Sequence, residues 1–298
     1  MKKLFIAVLT GLLFSACTKE EVEAPSVEVS VDKVTYNLGD TVRFKFSGNA
    51  DYLAMYSGES GSKYENRDRL RADGKITCEI TTRLLNTLGA RSLWIYATTD
   101  LNALRDSASI VNANWIDISN RYTIPTVAQT VQTAIGTADL SDIVKPSKPL
   151  YIAFRSNVKT IATGAQDRWT IGKVLIQNQY NDGSGTSIVG EIKNMAWKTL
   201  NVKNDPIHGW TVTSTTISLS TAARDAKETE NWVVSGPLYP DAANRDYPKT
   251  VKDILQVLPE TYEHVYKAKG VYKAYFVSLN SRNGQTTTTT REVEITIQ

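Results

Sequence analysis

Apolar and polar residues alternate at every second position along most of this chain, and helical periodicity is nearly absent. Val27, Val29 and Val31 alternate with Glu28, Ser30 and Asp32, and Val42, Phe44 and Phe46 alternate with Arg43, Lys45 and Ser47. A period of two sends neighbouring side chains to opposite faces of an extended backbone, so these segments are half-buried strands and the chain is all-β. Asn37-Leu38-Gly39-Asp40 is a turn between two of them, because Asn and Gly accept backbone angles that other residues resist. At the far end, residues 271–279 and Val293, Ile295 and Ile297 form another strand pair, joined by the polar stretch 280–290. One helix is predicted, over 250–258. Thr250-Val251-Lys252-Asp253 resembles a capping box, Val251, Ile254, Leu255 and Leu258 share a helical face, and Pro259 stops it.

The middle of the chain has longer polar loops between apolar segments at 93–97, 115–118, 150–154, 169–176, 210–219 and 232–234. Spacing of this kind suits a β-sandwich or jelly roll. No repeat is present, and the only biased stretches are a short polar segment after residue 17 and the threonines at 286–290.

The first residues carry an address. Met1-Lys2-Lys3 precedes an uncharged apolar run, residues 4–14, which is too short for a permanent membrane span and reads as a signal peptide over 1–16. It ends in Leu13-Phe14-Ser15-Ala16-Cys17, small residues before a cysteine, as the signal peptidase for bacterial lipoproteins requires. The competing reading, an ordinary secretory leader with a chance cysteine, needs position, spacing and small residues to coincide accidentally. Lipidation of Cys17 is therefore expected, and with three acyl chains at roughly 0.8 kcal/mol per buried CH₂ the anchor is nearly irreversible. Residues 17–25 form a solvated tether. Its Lys19-Glu20-Glu21 resembles the Lys-acidic-acidic export signal of Bacteroides-type bacteria, which implies an outer-membrane lipoprotein displayed at the cell surface rather than facing the periplasm.

Without residues 1–16 the chain keeps 32 basic against 31 acidic side chains, a balance that argues against nucleic acid as a partner. The length suits about two domains. After lipidation Cys78 is the one remaining thiol, so no intramolecular disulfide forms and the cores must hold the fold. Cys78 is placed on the strand face opposite Ile76 and Ile80, as a half-buried structural cysteine.

Two further resemblances fit together. Tyr36-Asn37-Leu38-Gly39-Asp40-Thr41-Val42-Arg43-Phe44 resembles the first strands of a PKD-type (polycystic kidney disease) immunoglobulin-like domain. Tyr262-Glu263-His264-Val265-Tyr266 followed by Lys269-Gly270-Val271-Tyr272 resembles its closing strands, with Lys269 where proline is usual. The halves lie far apart in sequence for a domain of about 90 residues, which implies one sandwich interrupted by another. The expected division is 26–89 and 237–298 for the PKD-like sandwich and 90–236 for the inserted domain. Trp115-Ile116-Asp117-Ile118, Ala138-Asp139-Leu140-Ser141, residues 149–155 and Trp169-Thr170-Ile171 in the insert are similar to strands of galactose-binding and cleaved-adhesin jelly rolls. The whole mature chain also resembles a Bacteroides-type lipoprotein family known only as a domain of unknown function, in which Asn49-Ala50-Asp51, residues 55–61 and Arg67-Asp68-Arg69 are characteristic.

Catalytic patterns are sparse. His208 and His264 have no second histidine and no cysteine at metal-ligand spacing, and no nucleophile elbow, phosphate loop or dinucleotide fingerprint occurs. His264 reads as packing at a strand start, and Gly183-Ser184-Gly185 as a hairpin turn. Glu59, Asp68 and Asp167 are carboxylates of the type that glycoside hydrolysis uses, though sequence does not pair them. Asp100, Asp106 and Asp167 are candidate calcium ligands in jelly-roll loops, without a contiguous calcium-loop motif. Six tryptophans and fourteen tyrosines are the strongest remaining signal, since sugars stack on aromatic faces while polar groups take their hydroxyls. Trp115, Trp169 and Trp232 each open a strand beside a loop, where core packing competes with ligand stacking. Trp210, after His208 and Gly209, is the expected exposed ring. The leading expectation is a non-catalytic glycan-binding accessory of a nutrient-uptake system, working with polysaccharide or outer-membrane uptake proteins and needing no cofactor except a possible calcium. A structural or adhesive protein–protein module is the rival, and a carboxylate-dependent glycosidase comes third.

Overall fold

The structure is a computed structural model that describes residues 21–87, 89–102, 105–160, 166–203, 209–220 and 227–298. The expected signal peptide, Cys17, the first part of the tether and His208 lie outside the described residues. The fold is all-β, built as β-sandwiches. It divides into two compact units, one made of the residues up to Tyr64 together with Tyr247–Gln298, the other of Glu65–Asp246.

In the first unit a three-stranded sheet, with Thr41–Ser47 between Glu28–Val31 and Thr261–Val265, faces a five-stranded one. The larger sheet runs Lys249–Lys252, Tyr52–Tyr56, Gly270–Arg282, Gln285–Ile297, Thr35–Tyr36. Val42 and Phe44 from one sheet, with Val27 just before its edge strand, meet Leu53, Met55, Ala274, Phe276 and Ile295 from the other, all buried. The Phe276 ring meets Phe44 and Phe46 edge-on at 4.9 and 5.3 Å, the preferred aromatic geometry. The turn at Asn37 closes as expected, with Asp40 N–H donating to the Asn37 carbonyl (3.0 Å).

Two expectations are corrected in this unit. The long polar link 280–290 is absent, because the last two strands run on until Arg282 pairs with Gln285. The hairpin closes on Asn283 and Gly284, both with positive φ (51° and 76°), the pair that a tight two-residue turn demands. The predicted helix over 250–258 is instead the edge strand Lys249–Lys252 followed by a turn. Thr250 pairs with Ala54 across the ladder, and sheet pairing outcompetes a helix of two turns, which is marginal in isolation.

The second unit packs a six-stranded sheet, in which Arg168–Tyr180 and Gly74–Leu85 are central, against a five-stranded sheet. The latter runs Lys198–Lys203, Thr229–Val234, Tyr151–Val158, Leu93–Thr98, Ile116–Asp117. Ile76, Cys78, Ile80, Ile171 and Ile176 on one side meet Leu93, Ile95, Ile152, Phe154 and Val233 on the other, all buried. Cys78 is thus corrected from half-buried to fully buried. It lies on the same face as Ile76 and Ile80, as positions two apart on a strand must. The unit begins at residue 65 rather than 90, because Gly74–Leu85 pairs along its full length with Arg168–Tyr180 and is the centre of this sheet.

The two ends of this unit are clasped together. Asp246 N–H donates to the Asn66 carbonyl (3.2 Å). The Arg69 guanidinium reaches Asp246 Oδ1 (3.1 Å), Ser184 Oγ (2.6 Å) and the Asn244 carbonyl (3.2 Å) while lying 4.5 Å over the Tyr180 ring. Asp246 is 2 % exposed and Arg69 11 %, so the pair is screened little by water. Arg69→Met takes the guanidinium away from the buried Asp246 carboxylate, Ser184 and the Asn244 carbonyl together and is expected to destabilise the fold by about 2–4 kcal/mol. Arg69→Lys, which keeps the charge without the planar fork, recovers part of that loss. Urea unfolding of the three proteins checks this, and equal stability of all three contradicts it.

Candidate binding face

Strands of the five-stranded sheet in the second unit bury alternate residues in the sandwich and turn the others to the opposite face. Along Leu93–Thr98, Leu93, Ile95 and Ala97 go inward, which turns Trp94 and Tyr96 outward. Register does the rest. Trp94 lies opposite Arg155, Arg155 opposite Trp232, and Trp232 opposite Leu200. One row across four strands therefore reads Trp94, Arg155, Trp232, Leu200. Cross-strand neighbours of this kind touch.

The Arg155 guanidinium is 5.7 Å from the Trp94 ring centroid and 5.5 Å from that of Trp232, within cation–π range of both. Arg91 sits 5.2 Å from Trp94. Tyr96 stacks on Trp232 at 5.4 Å, and Trp115 tilts against both, at 6.3 Å from Tyr96 and 5.7 Å from Trp232. The short helix Ser107–Asn112 covers one side of the cluster. Asp106 caps it by accepting from Ser109 N–H (2.7 Å), and Ile110 packs with Ala153, Trp232 and Val234. Trp115 Nε1 donates to the Ile110 carbonyl (2.7 Å). Trp232 is buried, whereas Trp94, Tyr96 and Trp115 are half-exposed. The face thus combines a dry base with a wetter rim of rings and charge.

Glu230 is its electrostatic hinge. Glu230 Oε1 accepts from Arg155 Nε and Trp232 Nε1, both at 2.9 Å. Burial alone raises the Glu230 pKa, but these hydrogen bonds outweigh it and hold the carboxyl below its usual range. Burial likewise opposes the charge on Arg155, and the bonds to Glu230 and Tyr96 override it, so its pKa is raised.

Of the four tryptophans expected to form a platform, the structure brings two together, Trp115 and Trp232. Trp169 and Trp210 are corrected to core residues, 1 % and 5 % exposed. Trp169 Nε1 donates to Ser92 Oγ (2.9 Å), whose hydroxyl donates to the buried Asp167 carboxylate (2.5 Å). Trp210 turns inward because Trp210–Val212 pairs with Ile217–Leu219 and extends the six-stranded sheet. Its Nε1 donates to the Asn231 carbonyl (3.2 Å). The three candidate calcium ligands are not assembled into a site. Asp106 caps the helix, Asp167 is held by Ser92, and Asp100 Oδ2 accepts from Asn114 Nδ2 (2.5 Å). Among the described residues no three His, Cys, Asp or Glu side chains gather as a metal site would require.

The other carboxylates are also engaged locally. Glu59 Oε2 lies 2.8 Å from His264 Nε2, and Asp68 pairs with Arg67 at 3.3 Å on the surface. A separate cavity of about 190 Å³ in the second unit is lined by Asp73, Ser141, Lys145, Asn178, Asn181 and Asp241. Much of its polarity is spent on the fold: Asn178 Nδ2 donates to the Ala72 and Pro240 carbonyls (2.8 Å each), Ser141 Oγ accepts from Ile76 N–H, and Asp241 accepts from Arg71. Trp94, Tyr96, Arg155 and Glu230 were not singled out from sequence. The signal was their parity, odd with respect to Leu93, Ile95, Phe154 and Val233.

Fold and face together define a β-sandwich protein with an aromatic and cationic surface on one sheet. The family described as domain of unknown function (DUF5017) matches residues 16–197, more than half of the chain, and the chain belongs to that family. The match is shorter than the nearly full mature chain expected. It includes Arg69, Trp94, Tyr96, Trp115 and Arg155 and stops before Glu230 and Trp232. No curated protein matches significantly.

If Glu230 holds the face together, its ionisation stabilises the fold above the ordinary carboxylate pKa of 4.5. That contribution fades as pH falls through the depressed folded value. Glu230→Gln is expected to flatten this acid limb and to cost about 1–3 kcal/mol at pH 7, through the weakened bond to Arg155. Thermal melts from pH 3 to 7 measure both, and an unchanged acid limb contradicts the assignment.

Proposed function

We propose that this chain is a non-catalytic, lipid-anchored outer-membrane protein, displayed at the cell surface, that binds glycan as an accessory of a nutrient-uptake system. The observation that carries the reading is the row Trp94, Arg155, Trp232 with Tyr96 and Trp115 beside it. Half-exposed rings offer apolar faces for a pyranose, and Arg91, Arg155 and Glu230 offer donors and acceptors for hydroxyls. Rings held by a packed base lose little freedom on binding, which favours affinity. A row of rings that crosses several strands, with Trp94, Tyr96 and Trp115 at its wetter rim, suits an extended polysaccharide better than a single sugar. The anchor at Cys17 rests on the leader pattern, and the display at the cell surface on Lys19-Glu20-Glu21. Among the described residues no helix is long and apolar enough to cross a membrane. In the same proposal the first unit is a PKD-like sandwich and the second a galactose-binding-type jelly roll.

Affinity electrophoresis against a panel of plant and host polysaccharides tests it. Retardation by at least one is expected, with Trp94→Ala weakening it about tenfold, the loss of roughly 1.4 kcal/mol of stacking. Arg71→Ala, away from the face, leaves it unchanged. Absence of retardation by every polysaccharide, together with co-purification of a stable outer-membrane protein partner, supports the adhesive alternative instead.

A further inference from the structure

The strand Gly270–Arg282 spans the first unit, and its Asn280 end is where the described chain begins. Asn280 Nδ2 donates to the Glu23 carbonyl (3.0 Å) and Thr287 Oγ1 to the Val22 carbonyl (3.2 Å). Five residue steps separate Val22 from Cys17, so an anchor on Cys17 lies within about 18 Å of Val22 at full extension.

The loop 253–260 lies at this same end. Asn49 and Asp51 line both the hollow holding residues 21–23 and the hollow beneath residues 256–260. Lys252 Nζ donates to the Asp51 carbonyl (2.6 Å) at the base of the loop. From it Ile254, Leu255 and Val257 project with 58, 95 and 89 % of their surface exposed. The loop is a built turn. Gln256 N–H donates to the Asp253 carbonyl (3.0 Å), Asp253 N–H to Gln256 Oε1 (2.9 Å), and Ile254 N–H to Asp253 Oδ1 (2.6 Å). Leu258 meanwhile packs on the core. Three aliphatic side chains are thus held out in water by structure, next to the segment that leads to the anchor.

We propose that Ile254, Leu255 and Val257 form a membrane-contacting tip that enters the lipid interface beside the anchor and fixes which end of the first unit faces the bilayer. This rests on the proposed lipidation of Cys17. An acyl anchor keeps a bilayer within reach of this end, and a second apolar contact turns a tether into an orientation. Among the described residues lining the two hollows, Glu21, Glu23 and Glu260 face only Lys252 and Arg282, and the Lys252 ammonium is engaged by the Asp51 carbonyl, so zwitterionic lipid is the matching surface.

The test uses the full-length lipidated protein in phosphatidylcholine–phosphatidylethanolamine vesicles, with a fluorophore on Leu255→Cys. Cys78 does not compete, since it is buried and burial pushes its thiol up to about 12, while the Cys17 thiol is consumed by the anchor. The reference is Val271→Cys, an exposed position on the same strand nine residues from Asn280, roughly 30 Å away. The label at 255 is expected to shift to the blue and to be quenched by nitroxide-bearing lipids, with neither change at 271. Lipidated Cys17 by mass spectrometry, with 255 quenched no more than 271, overturns the tip alone. An unmodified Cys17 overturns the anchor and the tip with it. A blue shift at 255 that occurs only in native outer membranes, without quenching by nitroxide lipid, identifies a protein occupant and also overturns the proposal.

Discussion

The chain leaves the first unit after Tyr64 and returns at Tyr247, so everything in the second unit depends on its two ends being held together. Arg69 and Asp246 provide that closure. A guanidinium fork satisfies a carboxylate, a hydroxyl and a carbonyl at once and also covers an aromatic ring, which a point charge on a flexible stem does not reproduce. The pair is nearly dry, so its strength comes less from net attraction than from the penalty of separating it. With the ends fixed, Gly74–Leu85 lies where Arg168–Tyr180 can pair with it, and the six-stranded sheet forms around these two strands. The first unit closes its own core from both pieces of its chain, with Phe44 from one and Phe276 from the other in contact.

The same alternation that builds the core of the second unit also builds its outer face. Leu93, Ile95, Phe154 and Val233 point inward, and the register that aligns them aligns Trp94, Arg155 and Trp232 on the other side. Glu230 then ties Arg155 and Trp232 to one oxygen. Side chains mounted on paired strands are held more precisely than side chains on loops, and here the mount is the central part of a sheet. The apolar tip of the first unit is the opposite case, a loop whose exposure is maintained by its own turn hydrogen bonds.

Strand positions and the all-β class were legible because half-burial leaves a period-two trace, as in Val42, Phe44 and Phe46. Which face of a strand is the core was not legible where both faces are apolar. Residues 93–97 read as one continuous apolar run, and only the pairing partners divide Leu93 and Ile95 from Trp94 and Tyr96. The burial of Trp210 depends on its hairpin partner Ile217–Leu219, several residues away in sequence. Segment 250–258 differs from its helical pattern for another reason. Val251 and Leu258 do pack on the core, but Ile254 and Leu255 between them project into water, a combination that a helical pattern cannot distinguish from a turn. Cys78 shares its buried face with Ile76 and Ile80, since residues 76, 78 and 80 lie on one side of any regular strand. Arg69 stood out only as part of a family resemblance, and its structural role depends on Asp246, far away in the chain.

Hydrogen–deuterium exchange with and without a retarding polysaccharide tests the proposed binding role of the outer face of the five-stranded sheet most directly. Added protection concentrated in Leu93–Thr98, Tyr151–Val158 and Thr229–Val234 is the predicted result. Protection confined to the cavity around Asn178 or to the first unit, with these three strands unchanged, would contradict it.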